Sequence, residues 1–135
     1  MKKVILFGVF DVFHYGHLRL IKRAAKLGDY CIVAVQSDEY VARFKPAGAA
    51  GLYNTIEERM EMIRALRCVD EVVVYDSVGD DIDKFDFNIF VKGPDQTHAG
   101  FVAAEEWSKE NGRDVVIIPR TEGISSTQIK ADISK

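Results

Sequence analysis

Short, continuously apolar runs alternate with amphipathic runs along most of the chain. The first apolar run, residues 4–7, is followed at residues 18–26 by a helical pattern with Leu18, Ile21 and Ala24 on one face. Residues 30–36 are again apolar throughout and rich in β-branched side chains, which is typical of a strand covered on both faces. This order predicts a βαβ unit, right-handed as such units almost always are.

Residues 37–54 have only a weak pattern. They are predicted to form a mobile loop, because small residues and helix breakers dominate the second half of this stretch. After it, the alternation of strands and helices continues. Thr55 and Glu58 form a capping-box pattern that starts the next helix. The further elements are predicted as strands at 71–75, 88–92 and 114–119, helices at 101–111 and 125–134, and weak helical turns within 77–86.

Five strands that alternate with helices predict one α/β domain over residues 1–135, a Rossmann-like, doubly wound three-layer sandwich with a five-stranded parallel sheet. Ligands bind such sheets beyond the carboxyl ends of the strands. The loops predicted to leave those ends, and therefore to form the site, are residues 8–17, 37–54, 93–100 and 120–125.

Composition narrows the classes of function. With 47% hydrophobic and 29% charged residues and a net charge of −3, the chain is ordinary for a globular protein and lacks the positive charge of a nonspecific nucleic-acid binder. Cys31 and Cys68 have no metal-like spacing and are predicted to be reduced core thiols. No membrane-spanning run or targeting signal is recognised, so we expect a cytoplasmic protein without nucleic-acid or membrane partners.

The first motif that carries chemistry is G-V-F-D-V-F-H-Y-G-H, residues 8–17, where a strand runs into a helix. His14 and His17 flank Gly16 at the helix start, so imidazole and backbone N–H donors can converge on a phosphate. Gly8 allows close backbone approach, and Asp11 either fixes the loop or orients His14. The alternatives are two ordinary loop histidines, or a zinc site, which the lack of nearby Cys and Glu disfavours.

Two further stretches place cations and N–H groups at the same edge. The first stretch is P-R-T-E-G-I-S-S-T, residues 119–127. Arg120 can donate hydrogen bonds to phosphate oxygens, and the residues from Gly123 to Thr127 offer backbone N–H groups and hydroxyls that can bind an anion. The alternative is an ordinary helix cap. In the 37–54 loop, Arg43 and Lys45, supported by Arg59, are a candidate cationic lid for a polyphosphate, although loop charges are often simply solvated.

These motifs resemble the H-x-G-H and R-T-E-G-I-S-T-T signatures of the cytidylyltransferase branch of the nucleotidyltransferase superfamily, and the likeness to bacterial glycerol-3-phosphate cytidylyltransferases runs nearly end to end. The resemblance implies transfer of CMP from CTP to a small phosphorylated alcohol, with Mg²⁺ carried by CTP. It further implies a homodimer. Glycerol 3-phosphate is the expected acceptor. One alternative is the same reaction with an aminoalcohol phosphate or a sugar phosphate as acceptor. The others are adenylyl transfer to FMN or to a heptose phosphate, and a nucleotide-binding module without catalytic activity.

The resemblance also implies residue roles. His14, His17, Lys45 and Arg120 would be catalytic, and Arg43 would contact the second substrate. The residues implied to bind the nucleotide are Gly8, Val9, Phe10, Asp11, Gly16, Arg59, Asp95, Thr121, Glu122, Gly123, Ile124, Ser125, Ser126 and Thr127. The departures from the family concern the acceptor more than CTP. Arg43-Phe-Lys45 stands where the family has K-x-K and is followed by an Ala- and Gly-rich stretch, and the position of a family lysine falls near Asp81. Residues 93–98 also differ, with Pro94 in place of an acidic residue.

Overall fold

The computed structural model describes residues 1–44 and 51–119, in which all five predicted strands pair into one parallel sheet. The order across the sheet is β3-β2-β1-β4-β5. The strands are β1 (Lys3–Gly8), β2 (Tyr30–Gln36), β3 (Glu71–Tyr75), β4 (Ile89–Lys92) and β5 (Asp114–Ile117). The predicted Rossmann-like α/β sheet is therefore confirmed.

Helices cover both faces of this sheet. They are α1 (Tyr15–Ala25), α2 (Asp38–Phe44), α3 (Ile56–Arg64), α4 (Val78–Asp81), which a 3₁₀ turn (Ile82–Lys84) extends, and α5 (Ala99–Glu110). Ile21 of α1 and Ile63 of α3 pack into the core on one face. Val78 of α4 and Phe101 of α5 pack into the core on the other face.

The central strand β1 and its neighbour β2 are buried on both faces, as their uninterrupted apolar pattern predicts. Residues 4–7 and 31–35 are each at most 4% exposed. Each large apolar side chain buried in this way contributes roughly 1.5–3 kcal/mol, so these strands form the rigid base of the molecule.

The direction in which the chain winds changes between β1 and β4. From β1 the chain adds β2 and then β3 on one side, and it returns to the other side of β1 for β4 and β5. A crevice opens at such a switch point, beyond the carboxyl ends of the strands. Gly8 and Lys92 end the two strands there, so the loops that follow them form the expected site.

The prediction of a loop over the whole of residues 37–54 is wrong, because Asp38–Phe44 is helix α2. Ser37 begins this helix: its Oγ accepts a hydrogen bond from the backbone N–H of Tyr40 at 3.2 Å, and two acidic residues follow in the first turn. Val41 is 3% exposed and anchors the helix to the body. The Pro-, Gly- and Ala-rich residues that follow obscured this short signal.

Both cysteines are free thiols, as predicted. Cys31 is buried in β2, and the loss of hydration, followed by the neighbouring Cys68, raises the pKa of its thiol to about 12. Across the described parts of the chain, no helix is long and apolar enough to cross a membrane. The helix predicted at 125–134 lies outside the described residues.

Candidate functional site

The loop after β1 has an unusual backbone. Phe10 and Val12 adopt positive φ angles of 55° and 48°, in a region that bulky and β-branched residues rarely occupy. Such a conformation costs about 1–3 kcal/mol for each residue and persists only where surrounding contacts impose it. The contacts that impose it here come from the end of β1 and from the start of α3.

Gly8 ends β1 beneath the ring of Phe10. A Cβ atom at position 8 would lie 2.9 Å from Cε2 and Cζ of that ring, closer than real Cβ contacts come. The ring is itself 4% exposed and packs in the core, so it cannot move aside. Glycine is therefore required here for close packing between the strand end and the loop.

Asp11 ties the loop to the segment before α3. Its buried carboxylate accepts hydrogen bonds from the backbone N–H groups of Tyr53 at 2.9 Å and Asn54 at 2.8 Å. The Asn54 side chain returns the contact, because its Oδ1 accepts from the N–H of Val12 at 3.3 Å. Of the two roles proposed for Asp11, these bonds are those of a residue that fixes the loop.

Arg59 lies under the same loop with its side chain fully buried. Nη1 donates to the carbonyls of Val9 at 2.8 Å and Gln36 at 2.9 Å, and Nε donates to the carbonyl of Asn54 at 3.2 Å. Nη2 pairs with the carboxylate of Asp38. The structure thus places Arg59 as a link between the loop, the end of β2 and α2, and its contact with a nucleotide stays a prediction.

His14 and His17 meet at the start of α1. Their rings stack with centroids 3.8 Å apart and an interplanar angle of 19°. His14 Nδ1 accepts from the N–H of Gly16 at 3.0 Å, and His17 Nδ1 accepts from the N–H of His14 at 3.3 Å. The two histidines thereby cap the helix as a Ser/Thr and Glu pair does in a capping box.

These hydrogen bonds fix the tautomers of the neutral rings. Because each Nδ1 accepts a hydrogen bond, the ring proton is assigned to Nε2, the ring nitrogen that is left to donate; in His14 this atom is buried. Loss of hydration and the neighbouring His14 lower the pKa of His17 to about 4, although Asp11 opposes the shift. His17 is therefore neutral at pH 7 and acts as a hydrogen-bond donor without a net charge.

A cavity of about 300 Å³ opens beside this loop at the carboxyl edge of the sheet. Gly8, Val9 and Asp95 line it together with Gln36, Tyr40, Tyr75, Ser77, Val78, Gln96, His98, Gly100 and Phe101. Gln96 joins the β4–α5 loop to β1: its Nε2 donates to the Phe7 carbonyl at 2.7 Å, and its Oε1 accepts from the N–H of Gly93 at 3.0 Å. Asp95 and the first loop thus border one space, as expected for a switch-point site.

Arg43 lies in the last turn of α2. It lines a second cavity, of about 420 Å³, which shares Tyr40 and Ser77 with the first cavity. Lys84 also lines this cavity, with its Nζ 2.8 Å from Oδ1 of Asp81. A cation therefore lies next to Asp81, where the family resemblance implied a lysine.

Asp81 itself supports the backbone at the start of α4. Oδ2 accepts from the N–H groups of Asp76 at 2.8 Å and Ser77 at 3.3 Å. Partial burial disfavours the charged carboxylate, but the bond from Lys84 and these N–H groups outweigh it and hold the pKa of Asp81 below its usual value. Its carboxylate is accordingly engaged within the fold.

Other candidate residues lie outside the described part of the chain: Lys45, and all of Arg120, Thr121, Glu122, Gly123, Ile124, Ser125, Ser126 and Thr127. Their assigned roles stay predictions. Sequence reasoning, in turn, missed Asp38, Asn54 and Gln96, which hold the loops in place. Asn54 directly precedes the capping box at Thr55, and Gln96 follows the turn Gly93-Pro94-Asp95. These positions were the sequence signals that could have marked the two residues as loop supports.

Known proteins resemble this chain over nearly its full length. The family model described as cytidylyltransferase-like matches residues 5–132. Glycerol-3-phosphate cytidylyltransferase of Staphylococcus aureus is 38% identical over 136 residues, which cover 98% of this chain and 96% of that protein. The Bacillus subtilis protein of the same name is 38% identical over 138 residues, covering 99% and 98% of the two chains.

A solved structure supports the fold. The lipopolysaccharide core biosynthesis protein from Thermoplasma volcanium superposes with a TM-score of 0.67 over 90% of this chain and 97% of that one. Its sequence identity is 24%, so this likeness concerns the fold alone. The similarity of sequence and the similarity of structure both extend over almost the entire chain.

Proposed function

This chain belongs to the cytidylyltransferase-like family, and we propose that it transfers the cytidylyl group of CTP to the phosphate of glycerol 3-phosphate. The products are CDP-glycerol and pyrophosphate. The observation that carries the proposal is the similarity, over nearly the full length of both chains, to two proteins named glycerol-3-phosphate cytidylyltransferase. The stacked histidines at the start of α1 supply chemistry that suits this reaction.

The reaction is an in-line displacement at the α-phosphorus of CTP. A phosphate oxygen of the acceptor forms a bond to this phosphorus, and the bond from the α-phosphorus to the oxygen that bridges to the β-phosphorus breaks. Pyrophosphate leaves with the electron pair. A phosphate monoester is already nucleophilic at neutral pH, so catalysis needs positioning and charge stabilisation rather than a general base.

His14 and His17 stabilise the phosphate oxygens during this step. In each neutral ring the bond accepted at Nδ1 fixes the proton on Nε2, which donates to a phosphate oxygen. Donors whose orientation is set before the substrate arrives need no reorganisation at the transition state, and removal of one such donor typically costs about 10²–10³ in rate. Arg120 and the residues through Thr127 complete the triphosphate site in this proposal.

Mg²⁺ bound together with CTP would supply positive charge to the leaving pyrophosphate. Within residues 1–44 and 51–119, no group of three or more His, Cys, Asp or Glu side chains is placed to hold a metal ion. The donor set fits an ion that is held mainly by triphosphate oxygens and water, which is the usual mode for nucleotide-bound Mg²⁺.

The reaction is tested by incubating the full chain with CTP, MgCl₂ and glycerol 3-phosphate and identifying the product by mass. We expect CDP-glycerol and an equal amount of pyrophosphate. Parallel reactions replace CTP with ATP, or the acceptor with FMN, phosphoethanolamine or sugar phosphates. A product formed only with ATP contradicts the donor, and CTP binding without turnover on any acceptor contradicts the enzymatic assignment.

The proposal includes a cytoplasmic location, where CTP is available, and a homodimeric state. The homodimeric state comes from the family resemblance. Analytical ultracentrifugation of the purified chain tests the dimer: a sedimenting mass near twice the 15.2 kDa of one chain supports it, and a monomer at working concentration contradicts it.

A further inference from the structure

The third histidine of the chain, His98, lies at the same edge of the sheet as His14 and His17. It precedes α5, and its exposed side chain lines the cavity that Gly8 and Val9 also line. Neither the loop nor the triphosphate chemistry described above uses this imidazole. The cavity beside the first loop therefore contains a polar group that the proposed reaction does not use.

Two contacts hold His98 in its place. The edge of its ring meets Phe101, with ring centroids 4.7 Å apart and planes at 74°. Position 100 is a glycine, and a Cβ atom there would lie 3.3 Å from Cε1 of His98 and 3.4 Å from its Nδ1. A side chain at position 100 would crowd the imidazole ring in its present position. The orientation of the ring therefore depends on Gly100.

The charged groups on the wall of this cavity limit what it can bind. Among the described residues that line it there is no lysine or arginine, and Asp95 is the carboxylate. Tyr75, Val78 and Phe101, from the core beneath α4 and α5, contribute apolar surface. A second anionic group would be poorly held in this space, whereas an uncharged carbon chain with hydroxyl groups fits both the apolar surface and the polar groups.

We propose that this cavity holds the end of the acceptor farthest from its phosphate, and that His98 determines specificity by hydrogen bonding to the terminal hydroxyl of a polyol phosphate. This inference rests on the proposed cytidylyl transfer and adds the recognition of the acceptor. The acceptor phosphate points to the loop at Gly8 and Val9, where the α-phosphorus is bound. The distal hydroxyl then reaches the wall formed by the start of α5.

The test compares two acceptors in two enzymes. Glycerol 3-phosphate has a terminal hydroxyl, and 2-hydroxypropyl phosphate lacks it. We expect the wild-type protein to prefer glycerol 3-phosphate by about tenfold in kcat/KM, the effect of one hydrogen bond of about 1.4 kcal/mol. In His98→Ala this preference disappears, because the KM for glycerol 3-phosphate rises about tenfold while the KM for CTP stays constant.

Two further variants separate recognition from folding. Gly100→Ala keeps the imidazole but moves it, and it should weaken the preference although alanine favours a helix. Thr97→Ala, next to His98 but not on the cavity wall, is the matched control and should keep the full preference. Thermal melting of each variant shows whether it is folded.

The outcomes separate the two proposals. If the wild-type protein makes no CDP product, the proposed function fails. If it makes CDP-glycerol and His98→Ala retains the preference, or if His98→Ala changes the KM for CTP instead, the role of His98 is wrong. A wild-type preference for phosphoethanolamine over glycerol 3-phosphate would also overturn the assignment of the cavity to a hydroxyl group.

Discussion

Arg59 on α3 pairs with Asp38 at the start of α2, and the arginine side chain is fully buried. The same guanidinium donates to the carbonyls of Val9 and Gln36. Three segments that approach the proposed site therefore meet at one cation. The residue that the family resemblance assigned to nucleotide binding has, in this structure, the contacts of a residue that positions the loop.

Replacement of Arg59 by methionine should therefore destabilise the whole fold. Arg59→Met leaves buried carbonyl groups without donors and leaves Asp38 without its cation, a combination that costs on the order of 3 kcal/mol or more. Urea unfolding measures the loss. Arg64→Met, at an exposed position on the same helix, is the control and should change stability by less than about 0.5 kcal/mol. Equal effects of the two variants would refute the role of Arg59.

Gly8→Ala should damage the loop after β1. The new Cβ would meet the buried ring of Phe10 at 2.9 Å, and overpacking of this kind costs about 1–3 kcal/mol. Turnover should fall with stability, because the same loop carries the histidines. Gly93→Ala is a matched control, since a Cβ there meets nothing within 4 Å. The double variant Gly8→Ala with Phe10→Leu should recover part of the loss; no recovery would place the cause elsewhere.

Stability should fall as the pH falls because of His17. The pKa of its imidazole is about 4 in the folded protein, where burial disfavours the charge, against 6.5 for an ordinary histidine such as that of the unfolded chain. The unfolded chain therefore binds the proton first as the pH falls, so this contribution is complete above pH 6.5 and is lost progressively toward pH 4. The loss is on the order of 2–3 kcal/mol.

Urea unfolding of the wild-type protein and His17→Gln at several pH values between about 7 and 4 checks this expectation. The variant cannot gain the proton, so its stability should decline less steeply over that range. Parallel curves for the two proteins would show that His17 is not held neutral by its surroundings.

The framework of the fold could be predicted from the sequence because its signals are local and strong. The strand at 71–75 and the cap at Thr55 appear as predicted. Helix α2 was missed because seven residues carry little periodicity and an irregular run follows them. The cap at Ser37 was the sequence signal that indicated it.

The details of the site depend on the folded conformation of the loop after β1 and on contacts between distant segments, which the sequence does not display. The motif predicted that His14 and His17 share a helix start, but the stacking of their rings and the bonds at Nδ1 emerge only in the folded loop. Positive φ angles at Phe10 and Val12 contradict local preference and are imposed by tertiary contacts. In the same way, the partners of Arg59 come from residues up to 50 positions away.

The roles of His14 and His17 are tested by the single-turnover rate of CDP-glycerol formation at saturating CTP and Mg²⁺, for the wild-type protein, His14→Ala and His17→Ala. Melting temperatures recorded in parallel establish that each variant is folded. We expect each substitution to lower the rate by at least about 10²-fold, the effect of removing a preorganised donor from a developing oxyanion. Rates within about threefold of wild type in both folded variants would contradict these roles.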